Sequence, residues 1–128
     1  MRLLLDTHVV IWWLTDASQL PPAYNDLLRD TTHVVHVSAA SCWEIGIKVR
    51  AGKWPEAAAF VPGLPAKLAI AKLLVLSVTG VHAERAALLD IAHKDPFDRL
   101  LAAQALEEGL TLVSVDPVFK RVAGLTVL

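Results

Sequence analysis

Short runs of apolar residues alternate along the chain with longer segments in which apolar residues recur at the spacing of an α-helix. Each short run predicts a strand, and each longer segment predicts a helix. Strands alternating with helices, and apolar on both faces, are typical of a parallel sheet covered on both sides, so we predict an α/β fold with three layers. The predicted strands are residues 2–5, 33–37, 73–78, 110–115 and 125–128. The predicted helices are residues 8–14, 22–29, 39–51, 80–92 and 96–108, with a helical hairpin at 55–72 that residues 62–65 interrupt.

Four acidic residues lie in apolar surroundings. Asp6 and Asp116 each follow a predicted strand, and ligands of open parallel sheets bind beyond the carboxyl ends of the strands. Glu44 lies in the middle of a predicted helix, and Asp98 lies in the first turn of another. Carboxylates packed together repel one another, so a cluster of them is normally stabilised by a cation. Oxygen ligands of this kind select Mg²⁺ or Mn²⁺.

Each of these acids also has a purely structural interpretation. Asp6 and Asp116 can cap the helices that follow them, Asp98 can complete a capping box, and Glu44 can pair with Lys48 one turn later. Capping does not require an acid rather than serine or threonine at both strand ends, and it cannot apply in the middle of a helix. The four acids taken together therefore favour a metal site.

A carboxylate-bound ion can lower the pKa of a water molecule, orient it for attack on phosphorus and stabilise the leaving oxygen. Phosphodiester hydrolysis then needs no protein nucleophile, and the chain has no glycine-rich phosphate loop, nucleophile elbow or zinc-binding HExxH helix. Ser114 lies two residues before Asp116 and can hydrogen-bond a carboxylate or a metal-bound water. His8, Lys48 and Arg99 lie close in sequence to the acids and are candidates for substrate contacts.

The composition sets the remaining expectations. A length of 128 residues predicts one domain, 1–128, with a single core. Apolar residues make up 55% of the chain and the mean hydropathy is +0.49, which suggests surplus apolar surface for a dimer or a protein partner. No apolar run is long enough to span a bilayer, and Asp6 and His8 interrupt the apolar start, so we expect a cytoplasmic protein. The net charge of −1 does not indicate a nucleic-acid binder, so any such contact needs a local basic patch.

Four segments together resemble the PIN-domain ribonucleases, and within them the VapC-type toxins of bacterial and archaeal toxin-antitoxin pairs. No single segment is specific, but their order and spacing cover nearly the whole chain. The segments are Leu4-Leu5-Asp6-Thr7-His8, residues 41–45 leading to Lys48, residues 93–105, and Leu112-Val113-Ser114-Val115-Asp116.

The resemblance implies a PIN-like fold with a parallel five-stranded sheet in the order 3-2-1-4-5. It implies an endoribonuclease that depends on Mg²⁺, with Mn²⁺ as a possible substitute, and that forms a homodimer inhibited by a cognate antitoxin. The implied catalytic and metal-binding residues are Asp6, Glu44, Asp98 and Asp116. The implied supporting residues are Ser114, where the family more often has threonine, together with Thr7 and Asp95. Apolar candidates for the dimer and antitoxin surfaces are Trp12, Trp13, Trp54 and residues 55–72.

Two other functions remain open from the sequence. A receiver-like phosphoacceptor domain also collects acids and magnesium at strand ends, but it needs a lysine near the end of the last strand, and residues 125–128 contain none. A domain without catalytic activity can instead act through its apolar surfaces and carry an acidic pocket.

Overall fold

A parallel sheet forms the middle layer of the fold in the computed structural model, which describes all residues 1–128. The strands are β1 (Arg2–Leu5), β2 (Val34–Ser38), β3 (Leu74–Leu76) and β4 (Thr111–Val113). The helices are α1 (Thr7–Thr15), α2 (Pro22–Arg29), α3 (Ala39–Arg50), α4 (Leu64–Ile70), α5 (Gly80–Leu88) and α6 (Pro96–Glu108). Shorter 3₁₀ helices span Ala17–Gln19, Pro55–Phe60 and Pro117–Arg121. The strand order β3-β2-β1-β4 confirms the predicted order of the first four strands.

Strand β1 is the central strand, and its side chains divide between two hydrophobic cores. Leu3 and Leu5 belong to the core formed with α1, α3 and α4, whereas Leu4 belongs to the core formed with α6 and Phe119. This alternation follows from the two-residue period of a strand, which places successive side chains on opposite faces. The predicted three-layer α/β architecture is therefore confirmed.

The predicted fifth strand is reduced to a single parallel bridge between Leu112 and Val127. The backbone N–H of Leu128 still donates to the carbonyl of Leu112, at 2.9 Å. Tyr24 holds this segment from the other side, because its hydroxyl lies against the carbonyl oxygens of Ser114 and Leu128. The edge position is thus filled, but the pairing is limited to this one bridge and the segment is not a regular strand.

Two predicted helical segments are shorter or less regular than their sequence suggests. The helix predicted at 80–92 ends at Leu88, and the hairpin predicted at 55–72 becomes a 3₁₀ helix followed by α4. The break between those two lies at Gly63, whose φ of 95° is in the left-handed region that favours glycine. No helix combines the length and the apolar character that a membrane crossing would require.

Candidate active site

The carboxyl ends of β1 and β4 open into a cavity of about 540 Å³ between α1, α3 and α6. The parallel register explains why: Leu5 pairs with Val113, so the residues that follow both strands emerge side by side. The structure brings together all four acids that the sequence singled out, and a fifth carboxylate joins them. The acidic lining consists of Asp6, Glu44, Asp95, Asp98 and Asp116.

Asp6 is buried and is held by a residue from the neighbouring strand. Its position is that of an N-cap for α1, yet its side chain makes no capping hydrogen bond. Instead the Ser114 hydroxyl donates to the Asp6 carboxylate at 2.6 Å, and the same hydroxyl accepts from the backbone N–H of Asp116 at 3.1 Å. The capping interpretation of Asp6 is therefore wrong, and the predicted hydrogen bond from Ser114 to a carboxylate is confirmed.

The Asp98 side chain likewise makes no capping hydrogen bond, because Asp95 is the N-cap of α6. The Asp95 carboxylate accepts from the backbone N–H groups of Phe97 at 2.9 Å and of Asp98 at 3.1 Å. The Asp98 side chain turns the other way and is hydrogen-bonded to His93 Nε2 at 2.7 Å. The capping-box interpretation of Asp98 is wrong, and its carboxylate faces the cavity.

The structural interpretations of Glu44 and Asp116 are confirmed, although both side chains also line the cavity. Lys48 Nζ donates to the buried Glu44 carboxylate at 3.1 Å, across one turn of α3. Asp116 accepts from the backbone N–H of Val118 at 3.0 Å and so caps the 3₁₀ helix Pro117–Arg121. These contacts leave unused oxygen lone pairs on both carboxylates.

Three predicted site residues lie outside the cavity lining: Ser114, which contacts Asp6 and Asp116 as described above, Thr7 and Arg99. Thr7 shares a 2.9 Å hydrogen bond with Ser41 in the buried junction between α1 and α3, which fixes the two helices that carry His8 and Glu44. Arg99 is turned away from the cavity, and this corrects its assignment as a candidate substrate contact. Its guanidinium donates to the backbone carbonyls of Ala86, Ala87, Leu89, Ile91 and His93.

The electrostatics of the cavity disfavour its negative charges. Burial raises the pKa of Asp98 to about 6, and the charges of Asp95 and Asp6 add to this, while the hydrogen bond from His93 opposes it. Burial also raises the pKa of Asp6, against the hydrogen bond from Ser114. A bound cation would relieve both effects, because it favours the ionised form of a nearby carboxylate.

The donor chemistry of the cavity suits Mg²⁺ or Mn²⁺, since all five acidic groups offer carboxylate oxygens. No three histidine, cysteine or acidic side chains are arranged as a ready-made metal site. Each carboxylate instead has a protein partner, such as Ser114 for Asp6 or Lys48 for Glu44. Mg²⁺ needs only one or two protein carboxylates and keeps several waters, so the residues fit such an ion.

The metal-free protein is expected to lose stability as the pH rises from about 4 to about 6. Over this range the folded chain retains protons on Asp98 and Asp6 that the unfolded chain has released, so the free energy of unfolding falls with rising pH. Urea unfolding of the wild type and of Asp98→Asn, at about pH 5 and about pH 8, checks this. The asparagine variant should gain stability relative to the wild type at the higher pH. An unchanged difference would contradict the raised pKa of Asp98.

The tryptophans around the cavity were not assigned to the site from the sequence, whereas His8 was named as a candidate substrate contact and does line the cavity. Trp12 lines the cavity, and His8 packs between it and Trp54. Trp43 is 65% exposed and lies edge-on to Phe97, outside the cavity lining. In the sequence, only the four-residue spacing of His8 and Trp12 indicated that two of these rings lie together on one helix face. Trp54 is distant in sequence and contacts His8 only through the packing of the fold.

The comparisons with known proteins agree with this architecture. A family model described as the PIN domain matches residues 3–125. No curated protein sequence matches the chain. Among solved structures, VapBC2 from Rickettsia felis bound to a promoter DNA fragment has a TM-score of 0.72 at 18% identity, covering 100% of this chain and 98% of that one. DNA-bound VapBC from Salmonella typhimurium has a TM-score of 0.72 at 18% identity, with coverages of 100% and 97%. FitAcB from Neisseria gonorrhoeae has a TM-score of 0.63 at 22% identity, with coverages of 98% and 96%.

Proposed function

The chain belongs to the PIN domain family, and we propose that it is a metal-dependent endoribonuclease and the toxin of a toxin-antitoxin pair. The observation that carries the proposal is the convergence of Asp6, Glu44, Asp98 and Asp116 on one cavity at the carboxyl ends of the central strands. The family match leaves no support for the receiver-like alternative. The toxin assignment draws on the similarity in fold to VapBC and FitAcB complexes.

In this proposal the four acids hold Mg²⁺ or Mn²⁺, which when bound supplies an activated water and stabilises the leaving oxygen. The other residues orient the carboxylates. Ser114 fixes one oxygen of Asp6, and His93 fixes one oxygen of Asp98. Asp95 caps α6 and so sets the position of the turn that presents Asp98. Such outer hydrogen bonds commonly determine how well a carboxylate site binds its metal.

Lys48 has the remaining role in this mechanism. Its ammonium group lies 3.1 Å from Glu44 and is only partly exposed, so it contributes a positive charge at the edge of the acidic cavity. That charge can bind a substrate phosphate that enters the cavity. Glu44 thus acts both as a metal-binding carboxylate and as the group that positions Lys48.

The assembly that we propose is a homodimer of single domains, 1–128, bound by a cognate antitoxin in the cytoplasm. Large apolar side chains are exposed outside the cavity lining, including Ile70 (82%), Leu88 (74%) and Val81 (62%). Apolar surface of this kind is typical of protein interfaces. Trp12, Trp13 and Trp54 are partly buried against the core, so they contribute less exposed surface to such interfaces than the sequence suggested.

The test is to incubate the purified, antitoxin-free chain with total cellular RNA and Mg²⁺ or Mn²⁺, and to map the new RNA ends. Total RNA is used because the enzyme can be selective for a few sites. Discrete cuts are expected with the metal, and none with EDTA or with the Asp98→Asn variant. Absence of cuts from the folded protein would favour a non-catalytic interaction domain, and cuts that persist in EDTA would contradict metal dependence.

A further inference from the structure

One side of the acidic cavity is aromatic. His8 and Trp12 both line the cavity, with ring centroids 5.5 Å apart. Trp54 contacts His8 edge-on, with ring centroids 5.2 Å apart, and Lys48 Nζ lies 4.4 Å from the centroid of the Trp54 ring. We call His8, Trp12 and Trp54 the aromatic wall. It lies beside Lys48 and Glu44 and so adjoins the carboxylates of the site.

The cavity offers little positive charge to a nucleic acid. Lys48 is the one lysine or arginine in the lining, and it is already paired with Glu44. The whole chain has a net charge of −1. Because neutralisation of phosphates is the usual main source of affinity for nucleic acids, a strand that binds here needs a second source. Stacking of bases on aromatic rings is such a source, and it does not depend on charge.

We propose that the aromatic wall is a subsite for an unpaired nucleobase next to the cleaved phosphodiester. The inference rests on the proposed ribonuclease function and adds to it a specific contact, the stacking of one RNA base on Trp12 and His8. One observation and one general property of duplexes favour an unpaired base. Asp6 and Glu44 are each only 6% exposed, so the phosphate must enter the cavity, and a base within a duplex has no free face to place on a ring.

The three residues of the aromatic wall have different roles in this proposal. Trp12 and His8 contact the base, because both line the cavity. Trp54 is a positioning residue, since it does not line the cavity and contacts His8, which does. Trp12 is also packed against the hydrophobic core, which holds its ring in place before the substrate arrives. A rigid aromatic ring loses little conformational entropy on binding, so it is well suited to stacking.

The test compares Trp12→Leu with Trp12→Phe. Leucine keeps apolar contact with the core but lacks a ring, whereas phenylalanine keeps a ring. Initial rates are measured on a short single-stranded RNA that contains a mapped cleavage site. Trp12→Leu should raise KM about tenfold with kcat within about twofold of wild type, in line with the loss of one base stack. Trp12→Phe should stay within about threefold of wild type in KM.

The matched control is Trp43→Leu, which removes an exposed tryptophan that does not line the cavity. It should leave both KM and kcat unchanged. On the substrate side, an abasic nucleotide is placed at each position of the RNA in turn. At one position it should raise the wild-type KM to the level of Trp12→Leu, and it should add nothing further in that variant. An unchanged KM in Trp12→Leu would overturn the subsite.

A binding measurement separates failure of the subsite from failure of the ribonuclease function. A fluorescein-labelled single-stranded RNA of mixed sequence is titrated with Asp98→Asn and with Asp98→Asn/Trp12→Leu, and anisotropy is recorded. The subsite predicts about tenfold weaker binding for the double variant, and weaker binding when the RNA is annealed to its complement. If the wild-type protein cuts no RNA but the two variants differ in binding in this way, the subsite is supported and the nuclease function is refuted. Equal binding by the two variants would overturn the subsite even if cleavage is intact.

Discussion

Replacing Asp98 with asparagine is expected to lower metal-dependent RNA cleavage by about a thousandfold while leaving the protein folded. Electrostatic stabilisation by a catalytic metal ion amounts to several kcal/mol, and each 1.36 kcal/mol is a factor of ten in rate. The Asp98 carboxylate faces the cavity and makes no capping bond to α6, so an amide of equal size removes a charge without removing a structural contact to the helix. Cleavage is followed as single-turnover rates at saturating Mg²⁺.

The matched control for Asp98→Asn is Asp95→Asn in the same turn. Asparagine is as good an N-cap as aspartate, so this variant should keep α6 intact and retain cleavage within about tenfold of wild type. Circular dichroism and thermal unfolding show whether both variants are folded. A folded Asp98→Asn protein with wild-type rates would refute the assignment of Asp98. A loss of cleavage in Asp95→Asn as large as in Asp98→Asn would instead make Asp95 an equal member of the metal site.

How much the sequence could predict depends on how local each interaction is. The start of α6 follows from Asp95 and Pro96, and its end from Gly109, whose φ is 64°, so both boundaries were predicted. The pair Glu44 and Lys48 is likewise set by one helical turn. The apolar runs and their order were sufficient to predict the parallel sheet, because a strand buried on both faces is a nearly continuous run of apolar residues.

The parts that could not be predicted depend on contacts between distant segments. Whether Asp6 caps its helix or accepts from Ser114 is decided by a hydrogen bond between residues 108 positions apart. The end of α5 at Leu88, rather than residue 92, coincides with carbonyls that bind Arg99 instead of continuing the helix. Helix propensity alone contains no information about either contact. The sequence therefore indicated which acids line the cavity together, but their hydrogen-bond partners required the three-dimensional structure.

Replacing Arg99 with lysine is expected to destabilise the protein by about 3 kcal/mol, since hydrogen bonds to charged groups each contribute about 1.5–3 kcal/mol and unpaired carbonyls add a cost. The guanidinium of Arg99 binds five backbone carbonyls between Ala86 and His93, at 2.7 to 3.3 Å. A lysine ammonium is a compact group that cannot reach all of them. Urea unfolding at one pH gives the loss in the free energy of unfolding.

The Arg99→Lys substitution also separates a structural role from a substrate contact. Lysine keeps the positive charge. If Arg99 only bound a substrate phosphate, the Arg99→Lys protein would therefore have wild-type stability and a KM close to that of the wild type. Arg85→Lys is the matched control, because Arg85 pairs with Glu107 at the surface and should change stability by less than about 1 kcal/mol. Cleavage by Arg99→Lys, measured well below its unfolding transition, should fall mainly in kcat, since the segment that Arg99 holds carries His93 and hence orients Asp98. Wild-type stability combined with a raised KM would show instead that Arg99 reaches the substrate.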